Sequence, residues 1–201
     1  MNKKIILMLL TIAVILPSFA QDIQLKTPNK TGGKPLMQAL SERKSSRNFV
    51  DKDLSVDQLS NLLWAANGFN RDDKRTAPTA NNKQEIELYV AIKSGVYLYD
   101  AKNSMLQLIK SGDHRKSTGN QDFVPKASAN IILVADMDKA SSREYAYTDC
   151  GFVAQNIYLF AASEGLGAVS RGWYDKDFLA KLLSLPSHKE VLLTQSVGFV
   201  E

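Results

Sequence analysis

The segment RKSSRNF, residues 43–49, sets three cations and two serine hydroxyls in five consecutive positions. Arg43, Lys44, Ser45 and Arg47 offer charge-assisted donors at several angles, the arrangement that a phosphate with three oxygens accepts best. The same residues also read as a solvated basic turn after a helix, where cations suit the negative end of the helix dipole. A second segment, PTANNKQ at 78–84, offers a hydroxyl, side-chain amides and backbone donors with little bulk. A flat heteroaromatic ring edged by carbonyls and ring nitrogens needs such alternating donors and acceptors; read alone, the segment is also a polar turn before a strand. A third, SRGW at 170–173, follows the apolar LGAV. There Gly172 lets backbone approach a ligand and Arg171 adds charge, although a strand-end turn accounts for both. A phosphate at one end and a hydrogen-bonding planar ring at the other together describe a mononucleotide such as FMN.

Other chemistries find little support. Cys150 is the single cysteine, so an intramolecular disulfide is impossible and a cysteine-based metal site is disfavoured. The two histidines, His114 and His188, lie far apart in polar stretches, and no His, Asp and Glu cluster shows metal-ligand spacing. No G-x-S-x-G marks a hydrolase serine. Residues 1–20 combine Lys3 and Lys4, an apolar run from Ile5 to Leu16, and the small residues Ser18 and Ala20, the pattern of a cleavable export signal before Gln21. Its removal lowers the net charge from +4 to +2, which gives little reason to expect nucleic acid or a membrane surface as partner. The expectation is an exported, periplasmic protein with no stable membrane contact after signal removal.

The elements that must position the three segments are legible in outline. Residues 21–34 read as an extended or mobile arm, and Pro35 starts a short helix with Leu36, Met37 and Leu40 on one side. SVDQLSNLLWAANGF reads as a helix with a capping box of Ser55 and Gln58, stopped by Gly68. Residues 69–84 show neither periodicity. IELYVAI (86–92) and VYLYD (96–100) alternate as paired strands around KSG, and ANIILVAD (129–136) is apolar throughout, as a strand covered on both faces must be. The longest helix, about Ser142 to Glu164, is apolar nearly all round and must meet a core or another subunit. LGAVS, DKDFLAKLLSL and EVLLTQSVGFV follow as strand, capped helix and strand. Helices and strands mix without regular alternation, which predicts one α+β domain over 35–201. Cys150 reads as a small core residue, and Trp173, after Gly172, as a pocket wall.

Across nearly the whole chain beyond residue 20, the sequence resembles the nitroreductase family of FMN flavoproteins. RKSSRNF matches the basic, serine-containing motif after the family's first helix, and PTANNKQ matches its Pro-Ser-Ser loop with Thr79 and Ala80 in place of the serines. YAYTDCGFVAQNIYLFAASEGLGAVSRGWYD resembles the family's interface helix, Gly-Leu-Gly turn and flavin-contacting strand. The resemblance implies a mostly antiparallel sheet flanked by helices, a long dimer-interface helix, and a homodimer with FMN between subunits. It places Arg43, Lys44, Ser45 and Arg47 on phosphate and ribityl, with Arg47 also near the N1 side of the ring. Pro78, Thr79, Ala80 and Asn82 would approach from the other subunit. Gln121, or Asn120 in the alternative register, would reach the ring edge, and Ser170, Arg171 and Gly172 would border it near N5. Many members continue past the last strand to a basic phosphate-binding residue, so phosphate affinity here would rest on the Arg43 cluster, with Arg171 a further candidate.

The implied activity is an oxidoreductase that passes hydride between a donor such as NAD(P)H and a small nitroaromatic or quinone-like acceptor by ping-pong turnover. No side chain would serve as a catalytic nucleophile, because the flavin carries the chemistry. A flavin-binding or storage protein without turnover is the alternative.

Overall fold

The computed structural model describes residues 21–201; the expected signal peptide at 1–20 lies outside them. In chain order the elements are β1 (Ile23–Gln24), α1 (Leu36–Glu42), α2 (Val56–Asn67), β2 (Phe69–Arg71), β3 (Lys74–Arg75), β4 (Ile86–Ile92), β5 (Gly95–Asp100), β6 (Met105–Ser111), β7 (Ala129–Asp136), α3 (Arg143–Ser163), β8 (Gly167–Arg171), α4 (Lys176–Leu182) and β9 (Lys189–Gly198). Seven strands form one sheet in the order β1-β6-β5-β4-β7-β9-β8, and every neighbouring pair is antiparallel.

β7 lies at the middle of the packing because both its faces are apolar. Ile131, Leu133 and Ala135 meet the layer of α2 and α3, while Ile132 and Val134 meet α4 on the other side. All eight of its residues are buried, as its unbroken apolar run requires. Each fully buried Leu or Ile in this layer contributes about 1.5–3 kcal/mol of transfer free energy, so the central strand is a poor place for movement. Tyr97 and Tyr99, two apart on β5, pack against the same core.

The helix ends follow their sequence signals. Both halves of the Ser55–Gln58 capping box form, and Ser142 and Asp175 cap α3 and α4 by accepting from the N–H of Tyr145 and Phe178. Gly68 ends α2 for reasons of space: a Cβ there would lie 2.7 Å from the Trp64 Cα.

One expectation needs correction, and two points left open are decided. Residues 69–75, read as irregular, form the small hairpin β2–β3. Its strands of three and two residues are too short to carry a period. The arm at 21–34 is extended but docked: β1 pairs with β6, and the N–H groups of Lys26, Asn29 and Lys34 donate to Ser60, Asn61 and Ser163 at 2.9, 2.8 and 2.7 Å. Finally, the apolar side of α1 faces outward, with Leu36 62% and Met37 76% exposed. Among the described residues, no helix is long and apolar enough to cross a membrane.

Candidate functional site

The basic segment is pinned to the free edge of the sheet. The Ser46 N–H donates to the Ala168 carbonyl at 2.9 Å, and Ser45 bridges Ala168 in parallel, so residues 43–47 run beside β8. Lys44, Ser45 and Arg47 are exposed, and Arg43 is half-buried. Lys44, Ser45 and Arg47 line a hollow of about 390 Å³, with Glu201 on its wall. Among the described residues, none of Arg43, Lys44 and Arg47 is in an ion pair with a carboxylate.

Tyr158 of α3 organises this edge. Its hydroxyl accepts from the Ser170 N–H at 2.8 Å and lies 3.0 Å from the Ser45 Oγ. The Arg43 guanidinium sits over its ring at 5.1 Å. Burial works against ionisation of the phenol, yet its hydrogen bonding with Ser45 and Ser170 and the nearby Arg43 charge hold it below its ordinary value.

β8 separates its two terminal side chains by simple alternation. Ser170 shares the α3 face with Ala168, and its Oγ is buried without a partner. Arg171 shares the opposite face with Val169 and is 4% exposed. Its guanidinium donates to the Thr118 carbonyl at 2.9 Å and to the Asn130 Oδ1 at 3.1 Å, and its Nε has no partner. Burial pushes its pKa down to about 10. The expectation that Arg171 lends charge to the phosphate cluster is therefore not met: period-two geometry turns its side chain through the sheet, away from Ser45. Gly119 permits this seat, since a Cβ there would lie 1.8 Å from the Arg171 Nη1.

Gly172 is exposed, and a Cβ built on it meets nothing within 4 Å, so open backbone is presented at the strand end. Trp173, 66% exposed, stands beside it, and the Asn120 N–H donates to its carbonyl at 3.3 Å. That bond brings residues 120–121 to the end of β8, where the buried Gln121 Oε1 has no partner.

The loop at 78–84 is elsewhere. Its shape comes from three residues in the left-handed region, Asn81, Asn82 and Gln84, at φ of 53, 55 and 51°. Asn is tolerated there and Gln much less so. The Ala80 N–H donates to the Asp149 Oδ2 at 2.9 Å, and the Thr79 hydroxyl accepts from the Gln84 N–H at 3.0 Å. Pro78 and Asn82 are exposed, and Thr79 and Ala80 half-buried. Beneath the loop, Glu85 (1% exposed) lies against Asp149 (2% exposed), and neither Glu85 oxygen has a hydrogen-bond partner. Burial first, and then the Asp149 carboxyl beside it, push Glu85 above its ordinary value.

The loop meets α3 at Asp149, whereas the basic segment meets it at Tyr158. At 1.5 Å per residue these points are about 13 Å apart along the helix. One chain thus sets residues 43–47 beside β8, brings 120–121 to the end of that strand, and holds 78–82 against α3 elsewhere.

Spacing alone did not disclose Tyr158, Glu85 or Asp149. A tyrosine inside an apolar helix looks like packing, and the two acids lie 64 positions apart. The fold also places Asp136, Asp138 and His188 with ligand atoms within 4.8 Å of one another, a grouping the sequence spacing hid. Lys139 already pairs with Asp136 there at 3.2 Å. Cys150 is buried, and burial pushes its thiol up to about 12, consistent with a packing residue.

The Nitroreductase family model matches residues 40–199. A nitroreductase homologue of Ralstonia eutropha, known from its crystal structure, is 38% identical, with 92% of each chain covered and a TM-score of 0.85. A nitroreductase homologue of Methanocaldococcus jannaschii is 27% identical over 79% of this chain and 88% of that one. An Archaeoglobus fulgidus protein named for NADH dehydrogenase or NAD(P)H nitroreductase activity is 26% identical over 78% of this chain and 80% of its own. With its antiparallel seven-stranded sheet and 21-residue α3, the chain belongs to the nitroreductase family, oxidoreductases that typically bind a flavin.

Proposed function

We propose that the chain is an FMN-dependent oxidoreductase, passing hydride between a donor such as NAD(P)H and a small nitroaromatic or quinone-like acceptor in ping-pong fashion. The observation that carries this reading is the set of carboxylate-free cations, Arg43, Lys44 and Arg47, fixed to the strand whose open end is Ser170–Gly172. The donor set fits the cofactor: cations and a hydroxyl for a phosphate, and orphaned polar atoms of Ser170 and Gln121 near the end of β8 for ribityl and ring edge. When bound, FMN would supply a ring that accepts and returns hydride. The chain's own part is to bind and orient. Arg43, Lys44, Ser45 and Arg47 would hold the phosphate end, while Gln121 and the backbone at 170–172 would set the ring edge. Arg171 would contribute backbone alone, because its guanidinium is committed to Thr118 and Asn130.

Pro78, Thr79, Ala80 and Asn82 complete the site in this reading only if a second copy supplies them, since one chain holds them some 13 Å away along α3. The outward apolar residues support such a homodimer. Leu36, Met37 and Leu40 on α1 and Tyr145 and Phe152 on α3 are exposed, and Gly151 leaves open space beside Phe152. Purification without added cofactor, followed by identification of the released chromophore and measurement of the molar mass, tests both parts. A yellow dimer that releases FMN is expected; a colourless protein that cannot be loaded with FMN would overturn the reading.

A further inference from the structure

The hydrogen bonds around Tyr158 have a direction. The Ser170 backbone N–H can only donate, so at 2.8 Å it fixes the Tyr158 oxygen as acceptor. The phenol and the Ser45 hydroxyl lie 3.0 Å apart and either can donate; with the Ser170 N–H already holding one lone pair of the phenol, the arrangement that sends the phenol's own proton to the Ser45 Oγ leaves Ser45 free to donate outward. With Ser45 accepting from Tyr158, the single Ser45 proton points away from the helix. Ser45 lines the same hollow as Lys44 and Arg47, so that proton is offered where the cations converge. Bonds in such a series polarise one another. The Arg43 guanidinium, 5.1 Å over the ring, is placed by the same side chain.

We infer that Tyr158 is a positioning residue that turns the Ser45 hydroxyl outward as a donor to a phosphate monoester and ties that donor to the end of β8. The inference rests on the flavin reading above and adds to it a cause for phosphate selectivity. Phenylalanine keeps the ring beneath Arg43 and removes the relay together with the acceptor of the Ser170 N–H, so the readout is the FMN-over-riboflavin ratio, in which a loss common to both flavins cancels. Tyr158→Phe should then cost FMN about tenfold in affinity, while riboflavin, which lacks the phosphate, loses less than twofold.

The test is titration of the apoprotein with FMN and with riboflavin, following quenching of flavin fluorescence, for the native chain, Tyr158→Phe, Ser45→Ala and the double variant. The expected result is that the FMN-over-riboflavin preference falls about tenfold in Tyr158→Phe and in Ser45→Ala, and no further in the double variant. An unchanged preference in Tyr158→Phe, or equal losses for both flavins, would overturn the inference and leave Tyr158 a packing residue. Full additivity in the double variant would also overturn it, because two independent contacts are not a relay. A native chain that takes up neither flavin would instead overturn the flavin reading beneath it. Because Ser45 is exposed, its variant keeps the test decisive if loss of the Tyr158 hydroxyl compromises folding.

Discussion

The buried pair beneath the 78–84 loop makes a prediction about stability that can be worked through. Glu85 is almost fully enclosed beside Asp149, and its folded pKa is raised above the ordinary 4.5 by burial and by that neighbour. The folded chain therefore keeps a proton that the unfolded chain releases. Its contribution to stability is complete below about 4.5 and is lost as pH rises through the folded value. One proton sets the steepest slope at about 1.4 kcal/mol per pH unit. Glu85→Gln cannot titrate, fills the same volume, and offers an amide donor to Asp149. The variant should therefore lack this slope and gain on the native chain with each pH step above about 4.5 until the folded pKa is passed. With a urea m-value of roughly 1–3 kcal/mol per molar, a full step separates the two midpoints by about 0.5–1.4 M. Urea unfolding of both chains at matched ionic strength and flavin content measures this. Titrations remote from the pair are shared by the two chains and cancel in the difference. Midpoints that run parallel across the range would refute the reading that folded Glu85 retains its proton.

Four further outcomes follow from the same geometry. Arg171→Met should lower stability by about 2–3 kcal/mol, because the acceptors of Thr118 and Asn130 lose their donor; flavin affinity should change by less than twofold, as titration would show. Asp149→Ala leaves the Ala80 N–H without its acceptor, so the 78–84 loop should become sensitive to limited proteolysis and stability should fall by about 1–3 kcal/mol. Replacing Met37 with Glu places a charge on the outward apolar side of α1, and sedimentation should show a shift from dimer to monomer. Cys150, its thiol pushed up to about 12, should resist alkylation at neutral pH in the folded chain and react once unfolded.

Much of the fold was readable because its signals are local. The ANIILVAD run needs both faces covered, and Ser55 with Gln58 writes a helix start in four letters. The β2–β3 hairpin was not readable, since strands this short and polar leave no period. For α1 the apolar stripe was legible but its direction was not: amphipathicity says that Leu36, Met37 and Leu40 share a side, not what covers it.

The site divides along the same line. Charge and hydroxyl content marked residues 43–47, and the fold gathers them on one edge. Arg171 was read as added charge for the phosphate from its place at a strand end, whereas alternation along β8 and the room left by Gly119 draw its guanidinium into the core. Glu85, Asp149 and Tyr158 depend on contacts across 64, 69 and 113 positions, which no local window contains.

The central claim is that this chain binds a flavin that exchanges hydride with a donor and an acceptor. The most direct measurement is the visible absorbance of the FMN-loaded protein under anaerobic conditions, before and after NADH or NADPH, and again after a quinone or nitroaromatic. The account predicts oxidised-flavin bands that bleach with one of the nicotinamides and return with the acceptor. Bands that neither nicotinamide bleaches, in a protein that holds FMN tightly, would contradict it and favour a flavin carrier on the same scaffold.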